Sequence, residues 1–233
     1  MFKGNLIKEF CELIGTAVLV FMAIGINAFS GGGVAPAEAS VATGAVLMLI
    51  IYGVGTISGA HVNPAVTLGF LTSGRFPQGQ FFRYVAAQVL GAIVAMILLF
   101  ITVPGFDWVA AAPVMGSPVS FGLEVFTTGF LVFTIFSVAT GDCRICPDAR
   151  PLAGVIIGAA IAMLSFFAGS AQAGILNPVV PFIFAIAAGT WLELVKYLAA
   201  MAIGAVLATF VYQFTRYQPK LEVEVPTEEE QQA

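Results

Sequence analysis

Apolar positions along this chain fall into long unbroken runs. Six of them, at about 9–29, 39–58, 81–103, 119–140, 152–170 and 191–214, reach the length needed to cross a lipid bilayer. A hydrocarbon core of about 30 Å takes roughly 20 apolar residues of helix. Two further apolar stretches, at about 63–73 and 177–188, are too short to cross, and each opens on Asn-Pro. Proline suits the first helical turn, where its missing N–H would have no partner in any case. The pattern predicts an all-α membrane protein with six transmembrane helices and two re-entrant half-helices.

The runs repeat. Shifted by 112 residues, Glu12, Thr16, Leu19, Val20 and Phe21 fall on Glu124, Thr128, Leu131, Val132 and Phe133. Shifted by 114, Asn63-Pro64 falls on Asn177-Pro178 and Val66 on Val180. Each copy, about 6–110 and 118–217, holds three spans and one half-span. Three is odd, so the second copy enters the membrane from the opposite side. Such inverted repeats place a solute pathway at the midplane, where broken helices meet. Residues 1–217 read as one channel domain. Residues 218–233, with Glu222, Glu224, Glu228, Glu229 and Glu230, read as a disordered acidic tail.

Charge sharpens this picture. Only 9% of the 233 residues are charged and 59% are hydrophobic, with a mean hydropathy of +0.99. A soluble domain carries about 25% charged residues, so here lipid takes the place of water over most of the surface, and a nucleic-acid partner is excluded. Lys3, Lys8, Arg75, Arg83, Arg144, Arg150, Arg216 and Lys220 lie on the side of the termini, and Lys196 alone lies elsewhere. The excess of positive charge places both termini in the cytoplasm, with the chain in the plasma (inner) membrane. The run Leu13 to Phe29 exceeds a signal-peptide core and lacks a clean cleavage site, so it reads as a retained first span. Cys143 and Cys146 form a lone C-x-x-C, half a metal site at most, and Cys11 stands apart. With no nucleophile–base pair and no ligand cluster, the sequence points to neither an enzyme nor a cofactor or metal.

The Asn-Pro motifs suggest the chemistry. A half-helix that starts inside the membrane leaves its first N–H groups unpaired and brings roughly half a positive charge there. Two such ends repel cations, hydronium included. Non-helical backbone at that depth persists only where protein buries it or water fills a cavity. The loop residues Gly59, Ala60, His61, Ala173 and Ile175 are therefore expected to offer backbone groups along a pore. Asn63 and Asn177 are expected to cap the half-helices and present amide hydrogens to a passing solute.

The stretch S-G-A-H-V-N-P-A-V-T at 58–67 resembles the first signature of aquaporins and glycerol channels, the major intrinsic protein family. Glu12-x-x-Gly15-Thr16, Ala87-Gln88-x-x-Gly91-Ala92 and Glu124 fit the same pattern. The resemblance covers about residues 6–215 and implies a homotetramer with one pore per subunit. It implies that Glu12 and Glu124 brace the two loops by accepting backbone N–H bonds, and that His61 braces the first loop. It makes Asn63-Pro64-Ala65 and Asn177-Pro178-Val179 the paired pore motifs. The second departs from the family, since Val180 stands where an arginine forms part of the outer filter. Counting from the motifs, the other filter positions are Thr43, Ser165 and Gly174, all small and uncharged.

Such a filter implies a passive channel for neutral solutes wider than water: polyols, urea and undissociated metalloid acids such as arsenous acid, with water as well. With Val in its second motif the chain also resembles a bacterial branch of the family associated with arsenic handling. Two alternatives stay open: a water channel narrowed by Phe166, Phe167 or Phe182, and a secondary transporter, for which the spans offer only Glu12 and Glu124. Pro181, in place of the aspartate of glycerol channels, leaves glycerol itself open. Cys143 and Cys146 are either thiolate ligands for trivalent arsenic or two inert thiols.

Overall fold

The structure is a computed structural model that describes residues 2–31, 33–140 and 150–216. Cys143, Cys146, Arg144 and the acidic tail lie outside the described residues. The long helices are α1 (Phe2–Phe29), α2 (Pro36–Ser58), α4 (Gln78–Thr102), α5 (Pro118–Ala139), α6 (Ala153–Gly169) and α8 (Trp191–Arg216). Two short helices, α3 (Pro64–Thr72) and α7 (Val179–Ala188), stand between them, and a single 3₁₀ turn, Arg150–Leu152, precedes α6. Among the described residues six helices are long and apolar enough to cross a membrane, and they match the runs read from the sequence. The second half-helix begins one residue later than its Asn-Pro motif suggests, because Pro178 (φ −56°, ψ −25°) acts as the cap, a difference within the usual ambiguity of helix ends.

The packing follows the repeat. α1 lies against α4 as α5 lies against α8, α1 meets α2 as α5 meets α6, and α2 meets α6 across the pseudo-symmetry axis. Each half-helix packs on α4 and α8, one from each copy. Membrane helices gain little from apolar burial alone, so close backbone approach at small residues takes over. Gly91 of α4 lies so close to the Leu13 carbonyl of α1 that a Cβ would overlap it, and Gly204 of α8 stands in the same relation to Val125 of α5. Gly44 and Gly158 face each other's carbonyls at the α2–α6 crossing.

Polarity is inverted relative to a soluble bundle. Glu12, Thr16, Thr67, Gln88, Glu124, Thr127 and Thr128 are fully buried, while Phe82, Leu49 and Phe214 (83% exposed) point outward. Lipid satisfies the second group, whereas the first needs partners inside the protein.

Candidate functional site

The two loops that lead into the half-helices are twisted in the same way. Ala60 (φ 47°) and Val62 (φ 42°) are left-handed in the first, and Gly174 (φ 80°) and Leu176 (φ 62°) in the second. A β-branched valine rarely adopts this conformation, and strain of about 1–3 kcal/mol per residue persists only where the surroundings impose it.

Glu12 and Glu124 impose it. The carboxylate of Glu12 accepts from the N–H groups of His61 (3.0 Å) and Val62 (2.7 Å), and from the Ser58 hydroxyl (2.8 Å) and Gln88 Nε2 (2.8 Å). Glu124 accepts from the N–H groups of Gly174 (2.6 Å), Ile175 (3.1 Å) and Leu176 (2.6 Å). Across a planar peptide the carbonyl points opposite to the N–H. The carbonyls of Ala60, His61, Ala173, Gly174 and Ile175 therefore turn away from the glutamates. The Gly174 carbonyl accepts from the Ser165 hydroxyl at 2.9 Å.

Two tyrosines, which sequence reasoning missed, complete the bracing. Tyr84 Oη donates to the Ser58 carbonyl and Tyr197 Oη to the Gln172 carbonyl, each at 2.8 Å. They are related by a shift of 113 residues, so the internal repeat held the signal. Glu193, also missed, pairs with Lys196 at 2.7 Å and accepts from the Met115 N–H at 2.7 Å. Lys196, the one cation apart from the set on the side of the termini, thus has a partner.

The two asparagines meet in the middle, each nearly buried. Asn63 Oδ1 caps α3 by accepting from Ala65 N (2.8 Å) and Val66 N (3.4 Å), and Asn177 Oδ1 accepts from Val179 N (3.3 Å). Their amides cross. Asn63 Nδ2 donates to the Leu176 carbonyl (2.7 Å), and Asn177 Nδ2 donates to the Val62 carbonyl (2.9 Å). An amide has two hydrogens, so each tie uses one of the pair. The sequence reading had assigned no such tie.

His61 is held on every side. Its ring stacks on Phe70 (4.6 Å) and meets Phe76 (5.0 Å) and Tyr84 (5.4 Å). Its Nδ1 lies 3.2 Å from Thr67 Oγ1, which donates to the Asn63 carbonyl (2.9 Å) and accepts from Gln88 Nε2 (3.0 Å). With the Thr67 hydrogen engaged, Nδ1 carries the imidazole hydrogen and Nε2 is left as an acceptor. Among the described residues no three His, Cys, Asp or Glu side chains converge on a metal-sized site.

A cavity of about 510 Å³ extends from Asn63 and Asn177 along Gly59, Ala60 and His61 to Tyr52 and Arg150. Thr43, Ser165, Gly174 and Val180 do not border it. Thr43 and Ser165 are half-buried on the facing helices α2 and α6, and the Thr43 hydroxyl donates to the Ala39 carbonyl at 2.9 Å. Val180, in the first turn of α7, packs partly buried against the cluster around Val20 and Ile183, as does Phe182. Phe166 and Phe167 are exposed.

Comparison with known proteins agrees with this geometry. Residues 3–212 match the family described as major intrinsic protein. Aquaporin NIP1-1 of Zea mays is 35% identical over 91% of this chain and 76% of its own length. Aquaporin NIP2-1 of Oryza sativa subsp. japonica is 34% identical over 93% of this chain and 73% of its own. The aquaglyceroporin of Plasmodium falciparum superposes with a TM-score of 0.71 at 26% identity, covering 88% of this chain and 95% of that one. These relatives are channels and not enzymes. The chain belongs to the major intrinsic protein family of membrane channels.

Proposed function

We propose that this chain is a passive channel for small neutral solutes wider than water, among them arsenous acid, polyols and urea, with water also passing. Each subunit of a homotetramer in the plasma membrane holds its own pore, both termini are cytoplasmic, and residues 1–217 form the channel domain. Asn63 and Asn177 mark the pore centre, and Thr43, Ser165, Gly174 and Val180 form the outer filter. One observation carries the reading: all four of those side chains are small and uncharged, and Val180 stands where the family carries arginine. A neutral hydrogen-bonding solute can exchange its water for the free asparagine hydrogens, the loop carbonyls and His61 Nε2. A cation meets the N-terminal ends of α3 and α7, where the helix dipoles oppose it.

The test is stopped-flow light scattering on proteoliposomes with water, glycerol, urea and arsenous acid, repeated with Val180→Arg. The substitution should lower the flux of glycerol-sized solutes by about tenfold or more, the usual scale for steric rejection, while water changes far less. Equal losses for both would remove Val180 from the filter. A second reading, mainly a water channel, draws support from the 510 Å³ cavity ending at the asparagines without reaching those four residues. It predicts water flux with little glycerol, urea or arsenous acid flux.

A further inference from the structure

At the cavity end remote from the asparagines stands Arg150. Among the described residues it is the one lining side chain with a formal charge, the His61 imidazole holding a single ring hydrogen on Nδ1. The 3₁₀ turn that bears Arg150 packs on α5 and α6, and a clamp fixes it. Tyr52 Oη of α2 donates to the Pro151 carbonyl at 2.9 Å. The Tyr52 ring lies over Gly154, where a Cβ would come within 2.7 Å of it, so that glycine is what lets the ring approach. The repeat breaks here. The position 114 residues earlier is Pro36, at the start of α2, and no cation stands at the corresponding place in the other half.

From this asymmetry, and resting on the channel reading above, we infer that Arg150 is a selectivity-determining residue of the inner mouth. Its guanidinium holds the cavity at positive potential, depleting cations before they reach the asparagines and supplying the fixed charge that Val180 does not. In most of the family's pattern that charge stands at the outer filter; in this chain it stands at the opposite end. Neutral solutes are indifferent to it.

The test reads the cavity's potential directly. Ala139 also lines the cavity, so Ala139→Cys, in a background with Cys11→Ala, Cys143→Ser and Cys146→Ser, places one thiol there. Its reaction rates with an anionic and a cationic methanethiosulfonate of similar size are measured at low salt. Their ratio is insensitive to how far Arg150 shifts the thiol's own ionisation, since both reagents attack the same thiolate. Where the reagent's charge passes roughly 6 Å from a unit charge in water, each rate changes about threefold, in opposite directions. Arg150→Gln should therefore lower the anion-to-cation ratio about tenfold, Arg150→Glu should lower it about tenfold again, and Arg150→Lys should preserve it. High salt should shrink these differences. A ratio unchanged by Arg150→Gln, with a neutral reagent still reacting at the parent rate, overturns the inference. The same vesicles report neutral-solute flux. Loss of that flux in the parent protein refutes the channel reading and leaves the ratio to be judged on its own.

Discussion

Replacing Glu124 with Gln tests how the second loop is held. The change is isosteric, so no cavity opens, and the side chain keeps one acceptor oxygen. That oxygen fits best where Glu124 Oε2 now accepts from Gly174 and Ile175, which turns the new NH₂ against the Leu176 N–H, at present 2.6 Å from Oε1. A buried N–H without a partner costs about 1–3 kcal/mol, and two charge-assisted bonds weaken by about 1 kcal/mol each on becoming neutral. Relief from burying a charge returns part of this, leaving about 2–4 kcal/mol of net destabilisation. Glu12→Gln should cost less, about 1–2 kcal/mol. Two of its four partners, Ser58 and Gln88, are side chains that can rotate, and the buried Gln88 Oε1, now without a hydrogen-bond partner, can accept from the new amide. The assay is SDS-titrated unfolding of both variants in mixed micelles, followed through intrinsic fluorescence, with water permeability in parallel. Glu124→Gln within about 0.5 kcal/mol of the parent, or equal losses in the two variants, would refute the view that the carboxylate holds the three N–H groups.

Two further outcomes follow from the same geometry. Asn177→Asp puts a carboxylate where two half-helix dipoles converge and exchanges the amide donor to the Val62 carbonyl for an acceptor; proton or cation conductance in proteoliposomes should rise, and unchanged conductance would take Asn177 out of the pathway. Gly204→Leu forces α8 away from the Val125 carbonyl of α5 and should lower unfolding free energy by about 1–3 kcal/mol or more, whereas Gly122→Leu, with nothing within 4 Å of its Cβ position, should leave it nearly unchanged; similar effects of the two would deny the close-packed interface.

The spans were legible because lipid demands length and apolarity, both of which can be counted along a chain. The glutamates and asparagines were legible because the sequence states them twice. The cross-ties were not. Nothing in the residue order says that Asn63 reaches the carbonyl of Leu176 rather than a solute, since the tie depends on Leu176 and Val62 being left-handed, conformations their own side chains disfavour. Tyr84 and Tyr197 were hidden more simply: the repeat offset is 112 at the glutamates, 114 at the asparagines and 113 at the tyrosines, so a single shift aligns only part of each copy. Arg150 was visible, but only as one of many cations on the terminal side. Its place at a cavity rim comes from the Tyr52 hydroxyl, whose partner is 99 residues away.

The repeat also explains why the two loops are held by different means. Glu124 faces backbone N–H groups alone, and the second loop is held further by Tyr197, by the Ser165 hydroxyl on the Gly174 carbonyl and by Asn63 on the Leu176 carbonyl. Glu12 faces two backbone and two side-chain donors, and through Gln88 it joins Thr67, His61 and the Asn63 carbonyl in one network. At the repeat positions of Thr67 and Gln88 the second copy has Pro181 and Met201, which lack side-chain hydrogen-bond donors. Among the described residues, the polar network reaches the same cavity as the one charged lining residue, through His61 and Asn63. On the proposed channel reading, such a pathway discriminates among ions from the Arg150 end, where the charge and the oriented imidazole lie. On the same reading Val180 adds no charge, so at its end only size and dehydration remain to discriminate among neutral solutes.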